Sequence, residues 1–367
     1  MASLLARALA PLLCLAVLTA CTTGAADPTA ESPTSAPPRV ALSELDALEN
    51  PRDYRGPSTA VLETAAITPV TDAPAQQLPA TVVSRDLAGD VEVTVDDTSR
   101  ILPLDIAGSI ASTVFALGFG DSVIGRDIST TFPEAANLPV VTSSGHAINS
   151  ESVLALRPSV VITDGTIGPT DVVVQLRDAG VTVVYVDAEP GLGAPAELAR
   201  QVAAALGAPE VGELLAGQLD AEIAAVVDEI AALAPVATAD RVRILFLYLR
   251  GASRIYYLFG EESGADELIE GVGGIDVAGE IGWQGLRPMT DEALIAADPD
   301  LILVMTDGLE SVGGVDGLLA TKPAIALTRA GENRRFVDMA DGEILSFGPR
   351  TPLMLDALAR AIYAPES

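Results

Sequence analysis

Arg243-Ile244-Leu245-Phe246-Leu247-Tyr248-Leu249-Arg250-Gly251 decides how the rest of the chain is read. Set between a cation and a glycine, this run is apolar enough for a strand buried on both faces, as in the parallel sheet of an α/β protein. Its two late polar residues, Tyr248 and Arg250, are spaced i and i+2, so a strand presents both on one face. A guanidinium beside a phenol favours the phenolate, because charge and hydrogen bonding both stabilise the anion. Phenolate is a hard oxygen donor suited to ferric iron. The other reading is that Tyr248 fills a strand end and Arg250 is a solvated exit residue, and the stretch alone leaves both open.

Upstream, Pro209 to Leu233 carries apolar residues at spacings of three and four, from Val211 through Leu215, Leu219, Ile223 and Ile230. That period predicts one helix of about 25 residues, nearly 40 Å long at ~1.5 Å per residue. A helix of that length can bridge two lobes. On either side of it the chain repeats itself. Glu151 to Pro158 followed by Ser159-Val160-Val161-Ile162 matches Glu292 to Pro299 followed by Asp300-Leu301-Ile302-Leu303. A Gly-rich segment precedes each copy, Leu117-Gly118-Phe119-Gly120-Asp121 and Val272-Gly273-Gly274-Ile275-Asp276. A period of about 140 residues implies two similar lobes and not a solenoid. The predicted fold is therefore α/β, with two similar lobes joined by one long backbone helix and a ligand cleft between them.

The first lobe reads as a hairpin around Ala88-Gly89-Asp90, a strand at 100–104, a helix over 105–117, and then strands near 159–163 and 181–186 around a helix at 172–180. Further towards the amino terminus the character changes. Ala8 to Ala20 is an apolar segment too short to span a bilayer and suited to a secretory signal, ending in Leu18-Thr19-Ala20-Cys21. Residues 22–38 are Thr, Ala, Pro, Ser and Gly apart from Asp27 and Glu31, and Pro-broken polar sequence continues to Ala80. The expected organisation is a signal peptide over 1–20, Cys21 and a flexible tether over 21–80, a first lobe over 81–208, a linking helix over 209–234 and a second lobe over 235–367.

Composition narrows the function. With 51 acidic residues against 21 basic and a net charge of -30, a nucleic-acid or anionic-lipid surface is not expected. The two cysteines, Cys14 and Cys21, both lie in or beside the signal segment, so neither a disulfide framework nor a thiolate metal site is expected. No Gly-x-Ser-x-Gly elbow, His-Glu-x-x-His helix or phosphate loop is present, and an enzyme is not expected. One histidine, His146, follows a glycine in Ser143-Ser144-Gly145-His146. A lone histidine is more often a surface or core residue than a ligand. Zinc or manganese transport would lack donors.

These pieces together resemble a known family. The lipobox-like Leu18 to Cys21, the paired lobes and the long helix are similar to helical-backbone substrate-binding lipoproteins of ABC importers, over about residues 81–364. Ser143-Ser144-Gly145-His146, Phe246 to Gly251, Tyr256-Tyr257-Leu258-Phe259-Gly260 and Asp338-Met339 further resemble the HmuT-type haem-binding lipoproteins of actinobacterial importers. The resemblance implies ferric haem b as transported ligand, held by His146 from one lobe and Tyr248 from the other, with Arg250 hydrogen-bonded to the Tyr248 oxygen. It implies Cys21 as the lipidated residue, anchoring the protein outside the cytoplasmic membrane. The implied partners are an ABC permease with its ATPase, docked through Glu134 and Glu280, and upstream surface haem receptors. Tyr256, Tyr257, Phe259, Trp283 and Met289 are candidate walls of the haem slot, and Arg126, Arg287 and Arg350 candidate propionate partners. A ferric siderophore or cobalamin is the alternative ligand on the same fold.

Overall fold

The computed structural model describes residues 39–366 apart from Leu87, Ser144, Ala188, Ala252, Ser253, Arg254 and Met289. Cys21, the expected signal segment and Met289 therefore lie outside the described residues. Val40 to Ser367 form one compact unit. Among the described residues, no helix is long and apolar enough to cross a membrane.

The organising strand spans Arg243–Arg250 and lies inside a mixed sheet. It pairs in parallel with Leu301–Met305, which pairs in parallel with Phe336–Met339. On its other side it runs antiparallel to Ile255–Phe259. Alternation sorts its side chains into two cores: Ile244 and Phe246 enter one, and Leu245, Leu247 and Leu249 the other. This burial on both faces is what the unbroken apolar run encodes. Each fully buried Leu, Ile or Phe contributes about 1.5–3 kcal/mol.

The first lobe holds a three-stranded parallel sheet of Ile101–Leu104, Val160–Thr163 and Thr182–Tyr185. A hairpin of Ala80–Ser84 and Val91–Val95 covers its edge, with the Arg85 amide donating to the Tyr185 carbonyl at 2.9 Å. The internal repeat is realised residue for residue. Helix Ser150–Leu156 is capped by the Asn149 side chain and ends at Arg157 with φ 49°. Helix Asp291–Ala297 is capped by Thr290 and ends at Asp298 with φ 37°. In both copies a non-glycine residue takes the left-handed turn directly before proline, and a buried strand follows. The long helix is Pro209–Leu233, with a proline in its first turn where the missing N–H costs nothing.

From Val40 to Gln77 the chain departs from the tether expectation. Leu42, Ala60 and Leu62 are buried in the second lobe's core, and Ser58–Ala60 adds a parallel edge strand beside Phe336–Met339. A few residues later Ile67 enters the first lobe's core, and the Val70 and Gln77 amides donate to the Ala116 and Gly207 carbonyls at 2.7 and 2.8 Å. The segment is a strap over both lobes. Its prolines and polar residues hid it, because short extended pieces held by backbone hydrogen bonds leave no period.

Candidate functional site

Tyr248 and Arg250 emerge at the carboxyl end of the organising strand, the end where ligands of α/β sheets bind. The Arg250 Nε donates to the Tyr248 phenol oxygen at 2.7 Å, and its guanidinium carbon is 5.2 Å from the tyrosine ring centre. That hydrogen bond is the largest influence holding the Arg250 pKa above its ordinary value. Asp341 approaches the same guanidinium at 3.9 Å and accepts the Asp307 amide at 3.0 Å. Burial raises the Asp341 pKa above the usual carboxylate range.

His146 belongs to the first lobe, in a tight turn where its amide donates to the Ser143 carbonyl at 3.1 Å and the Ser143 amide to the Ala147 carbonyl at 2.9 Å. Gly145 and His146 both have positive φ, 94° and 61°. Histidine in this region is uncommon, and the turn's hydrogen bonds hold it there. Its Nδ1 is 3.3 Å from the Ser129 hydroxyl, which leaves Nε2 as the outward nitrogen. Ser129 sits in a loop shaped by Asp127, whose carboxylate accepts the amides of Ser129 and Thr130 at 2.6 and 2.9 Å. Two isoleucines, Ile106 and Ile128, stand beside this loop with 49% and 41% exposure, an apolar surface without a cover.

Short contacts join the two halves. A Cβ added to Gly342, the residue after Asp341, would lie 2.9 Å from the Ser129 carbonyl oxygen. The path therefore runs from Tyr248 through Arg250 and Asp341 to Gly342, and across the lobe junction to Ser129 and His146. Both expected ligands lie on one continuous chain of contacts.

The remaining expected residues divide. Tyr257 is the direct cross-strand partner of Tyr248 and shares its face, and Phe259 meets the Tyr248 ring edge-on at 6.0 Å. Tyr256, one residue along the strand, faces the opposite core, where Lys322 Nζ lies 4.2 Å from its ring centre. Trp283 packs on that opposite core too, and Arg287 is exposed at the sheet edge. Neighbours in a strand cannot both line one slot, and the paired naming of Tyr256 and Tyr257 overlooked this. Arg126 Nη1 donates to the Thr130 carbonyl at 2.8 Å, within the loop that carries Ser129. Arg350 is 5% exposed, 3.5 Å from Glu343 and 5.7 Å from the Phe132 ring centre, so it bolts the lobes together. Glu134 accepts the Ile67 amide of the strap at 3.3 Å. Glu280 pairs with Arg243 at 2.7 Å, at the opposite end of the strand from Tyr248. The sequence reading missed Ser129, Asp341, Ile106 and Ile128, which no motif marks.

The buried Asp105 and Asp127 and the part-buried Asp164 gather at the carboxyl edge of the first lobe's sheet, and all three have raised pKa values with burial as the leading cause. Asp105 is pushed up to about 8, with Asp127 and Asp164 adding to the effect. A carboxyl whose folded pKa exceeds the unfolded value of about 3.9 stabilises the fold below that value, and the contribution is lost as pH rises through the folded pKa. The protein is therefore expected to melt about 3–5 °C lower at pH 8 than at pH 5 on this account, with a flatter slope in Asp105→Asn. Melting curves of both proteins across that range decide it; equal slopes would remove Asp105 as the source.

Comparison with known proteins agrees with this architecture. The profile of the family described as periplasmic binding protein matches residues 106–341. A crystal structure of the heme binding protein HmuT is similar, with 37% identity and a TM-score of 0.80 over 86% of this chain and 99% of that one. The periplasmic heme-binding protein RhuT from Roseiflexus sp. RS-1, in apo form, is 39% identical with a TM-score of 0.66, covering 74% of this chain and all of that one (100%). YvrC of Bacillus subtilis (strain 168), an uncharacterized ABC transporter substrate-binding lipoprotein, is 25% identical over 77% of this chain and 85% of its own length. A profile that spans both lobes and the helix between them, on a fold built as those solved structures are, makes this chain a member of the periplasmic binding protein family.

Proposed function

We propose that this protein is an extracytoplasmic carrier that captures ferric haem between His146 and Tyr248 and hands it to an ABC permease and its ATPase. The observation that carries the reading is the 2.7 Å hydrogen bond from Arg250 to the Tyr248 oxygen, on the lobe facing His146 across the Ser129–Gly342 contact. The names of the similar solved structures, both heme-binding proteins, support it. Imidazole nitrogen and phenolate oxygen are both haem-iron donors, and phenolate favours the ferric state. Arg250 donates a hydrogen bond to the Tyr248 oxygen without replacing it as a donor to iron. Tyr257, Ile106 and Ile128 supply apolar surface for the macrocycle, and Phe259 backs Tyr248 from the core. Opening the lobes draws the two ligands apart, which is the step that surrenders the cargo. Lipidation of Cys21 would anchor the carrier at the outer face of the membrane, where surface haem receptors would supply it. Iron held by both His146 and Tyr248 would be left without an open position, which suits carriage.

Optical titration with hemin tests this. The expected result is one-to-one saturation with a phenolate-to-iron charge-transfer band. Tyr248→Phe should abolish that band and weaken binding at least about tenfold, while His146→Ala should change the spin state. Non-saturating spectra that ignore both substitutions would refute the assignment and point to a ferric siderophore or cobalamin.

A further inference from the structure

We propose that the start of the one-turn helix Asp341–Ile344, with Ala340 before it, is a positioning element that couples the two lobes at the site, with Asp341 orienting Arg250 and Gly342 setting how closely the Ser129 loop, and with it His146, approaches. This rests on the haem reading only for its optical readout. The turn follows the strand Phe336–Met339, adjacent in the sheet to Leu301–Met305, which neighbours the organising strand. Asp341 therefore touches the ends of two other strands: its carboxylate accepts the Asp307 amide at 3.0 Å and faces Arg250 at 3.9 Å. Arg250 has one hydrogen bond, to Tyr248, and the Asp341 carboxylate is the charged group on its other side at 3.9 Å.

Gly342 acts on the other ligand. A Cβ there would stand 2.9 Å from the Ser129 carbonyl and 3.2 Å from the Thr131 hydroxyl, both in the first lobe. Gly342 does not need a positive φ, so its glycine is required by the close approach and not by backbone conformation. Any side chain at this position must push the lobes apart or displace the Ser129 loop. Ser129 holds His146 Nδ1, so displacement of that loop turns the imidazole. The Arg350 Nη2 donates to the Gly342 carbonyl at 3.4 Å, which ties the turn to the same junction from behind.

Because His146 is the only histidine, its ring protons give one set of resonances in an untagged chain. In haem-free protein, Gly342→Val is expected to shift the His146 ring resonances although the substitution is on the other lobe. Gly342→Ala should give a smaller shift in the same direction, which keeps the test open should the valine variant fold poorly. With hemin, Gly342→Val should raise Kd about tenfold and alter the spin state. Asp341→Asn should leave the His146 resonances in place and move the phenolate-to-iron band. Unshifted His146 resonances in both Gly342 variants, or an Asp341→Asn complex with the wild-type spectrum, would overturn the proposal. Shifted resonances in a protein that does not bind hemin would overturn the haem reading and leave the interlobe contact standing.

Discussion

Replacing Arg335 with methionine is expected to lower the unfolding free energy by about 3–5 kcal/mol. Arg335 is 1% exposed, and burial holds its pKa down to about 10. It is nevertheless an organiser. Nη1 donates to the Ser58 hydroxyl at 2.8 Å and the Gly56 carbonyl at 3.4 Å, and Nη2 to the Ala361 and Ile362 carbonyls at 2.8 and 3.0 Å. Its guanidinium also sits 4.7 Å from the Tyr54 ring centre. One side chain thus rivets the strap, the carboxyl-terminal helix and the start of strand Phe336–Met339. Two effects oppose each other when it is removed. Relief of a buried charge favours the variant; the lost hydrogen bonds to the Ile362 and Gly56 carbonyls, at about 1–3 kcal/mol for each acceptor left unpaired, and the lost stacking on Tyr54 disfavour it, while the Ala361 carbonyl keeps the Ser58 hydroxyl as a donor at 2.7 Å. The lost interactions join three separate segments, so destabilisation is the expected sign. Chemical denaturation measures it, and a loss under about 1 kcal/mol would show that the strap holds without the rivet.

Gly118→Ala is expected to cost about 2–4 kcal/mol by a separate route. Gly118 has φ +86°, and a Cβ there would lie 2.2 Å from the Thr71 carbonyl oxygen of the strap. The substitution combines left-handed strain with displacement of the backbone next to the Val70–Ala116 hydrogen bond. Its signature should be local. Cleavage in the crossover around 63–66 should accelerate well before global unfolding, and limited proteolysis of wild type and variant compares the two. Equal cleavage rates would mean that the strap's grip on the first lobe lies elsewhere.

The lobes, the long helix and the duplicated helix-to-strand units were readable because each carries a period or a punctuation mark. The stripe from Val211 to Ile230 has the helical period, and the prolines after Arg157 and Asp298 stop a helix in both copies. His146, Tyr248 and Arg250 stood out by rarity and by strand spacing. What the sequence concealed was of two kinds. The strap binds through backbone amides and single buried residues such as Leu42 and Ile67, which leave no repeating pattern. Ser129, Asp341 and Gly342 matter because of what they meet across the junction, and juxtaposition between distant segments has no local sign. Tyr256 was misplaced for a third reason, since a motif read as a string ignores that alternate residues face opposite ways.

The strap's edge strand has a consequence for the order in which the molecule is made. Thr59 donates to Asp338, 279 residues later in the chain, at 2.9 Å. A chain made amino end first presents Ser58–Ala60 early, while its partner strand Phe336–Met339 arrives nearly last. The earliest described segment to emerge is thus among the last to find its place. Until that strand arrives, Ser58–Ala60 has no edge to pair with. Assembly closes over it only when the carboxyl-terminal helix has followed, since the Ser58 hydroxyl donates to the Ala361 carbonyl at 2.7 Å, so completion of the fold waits for the end of the chain.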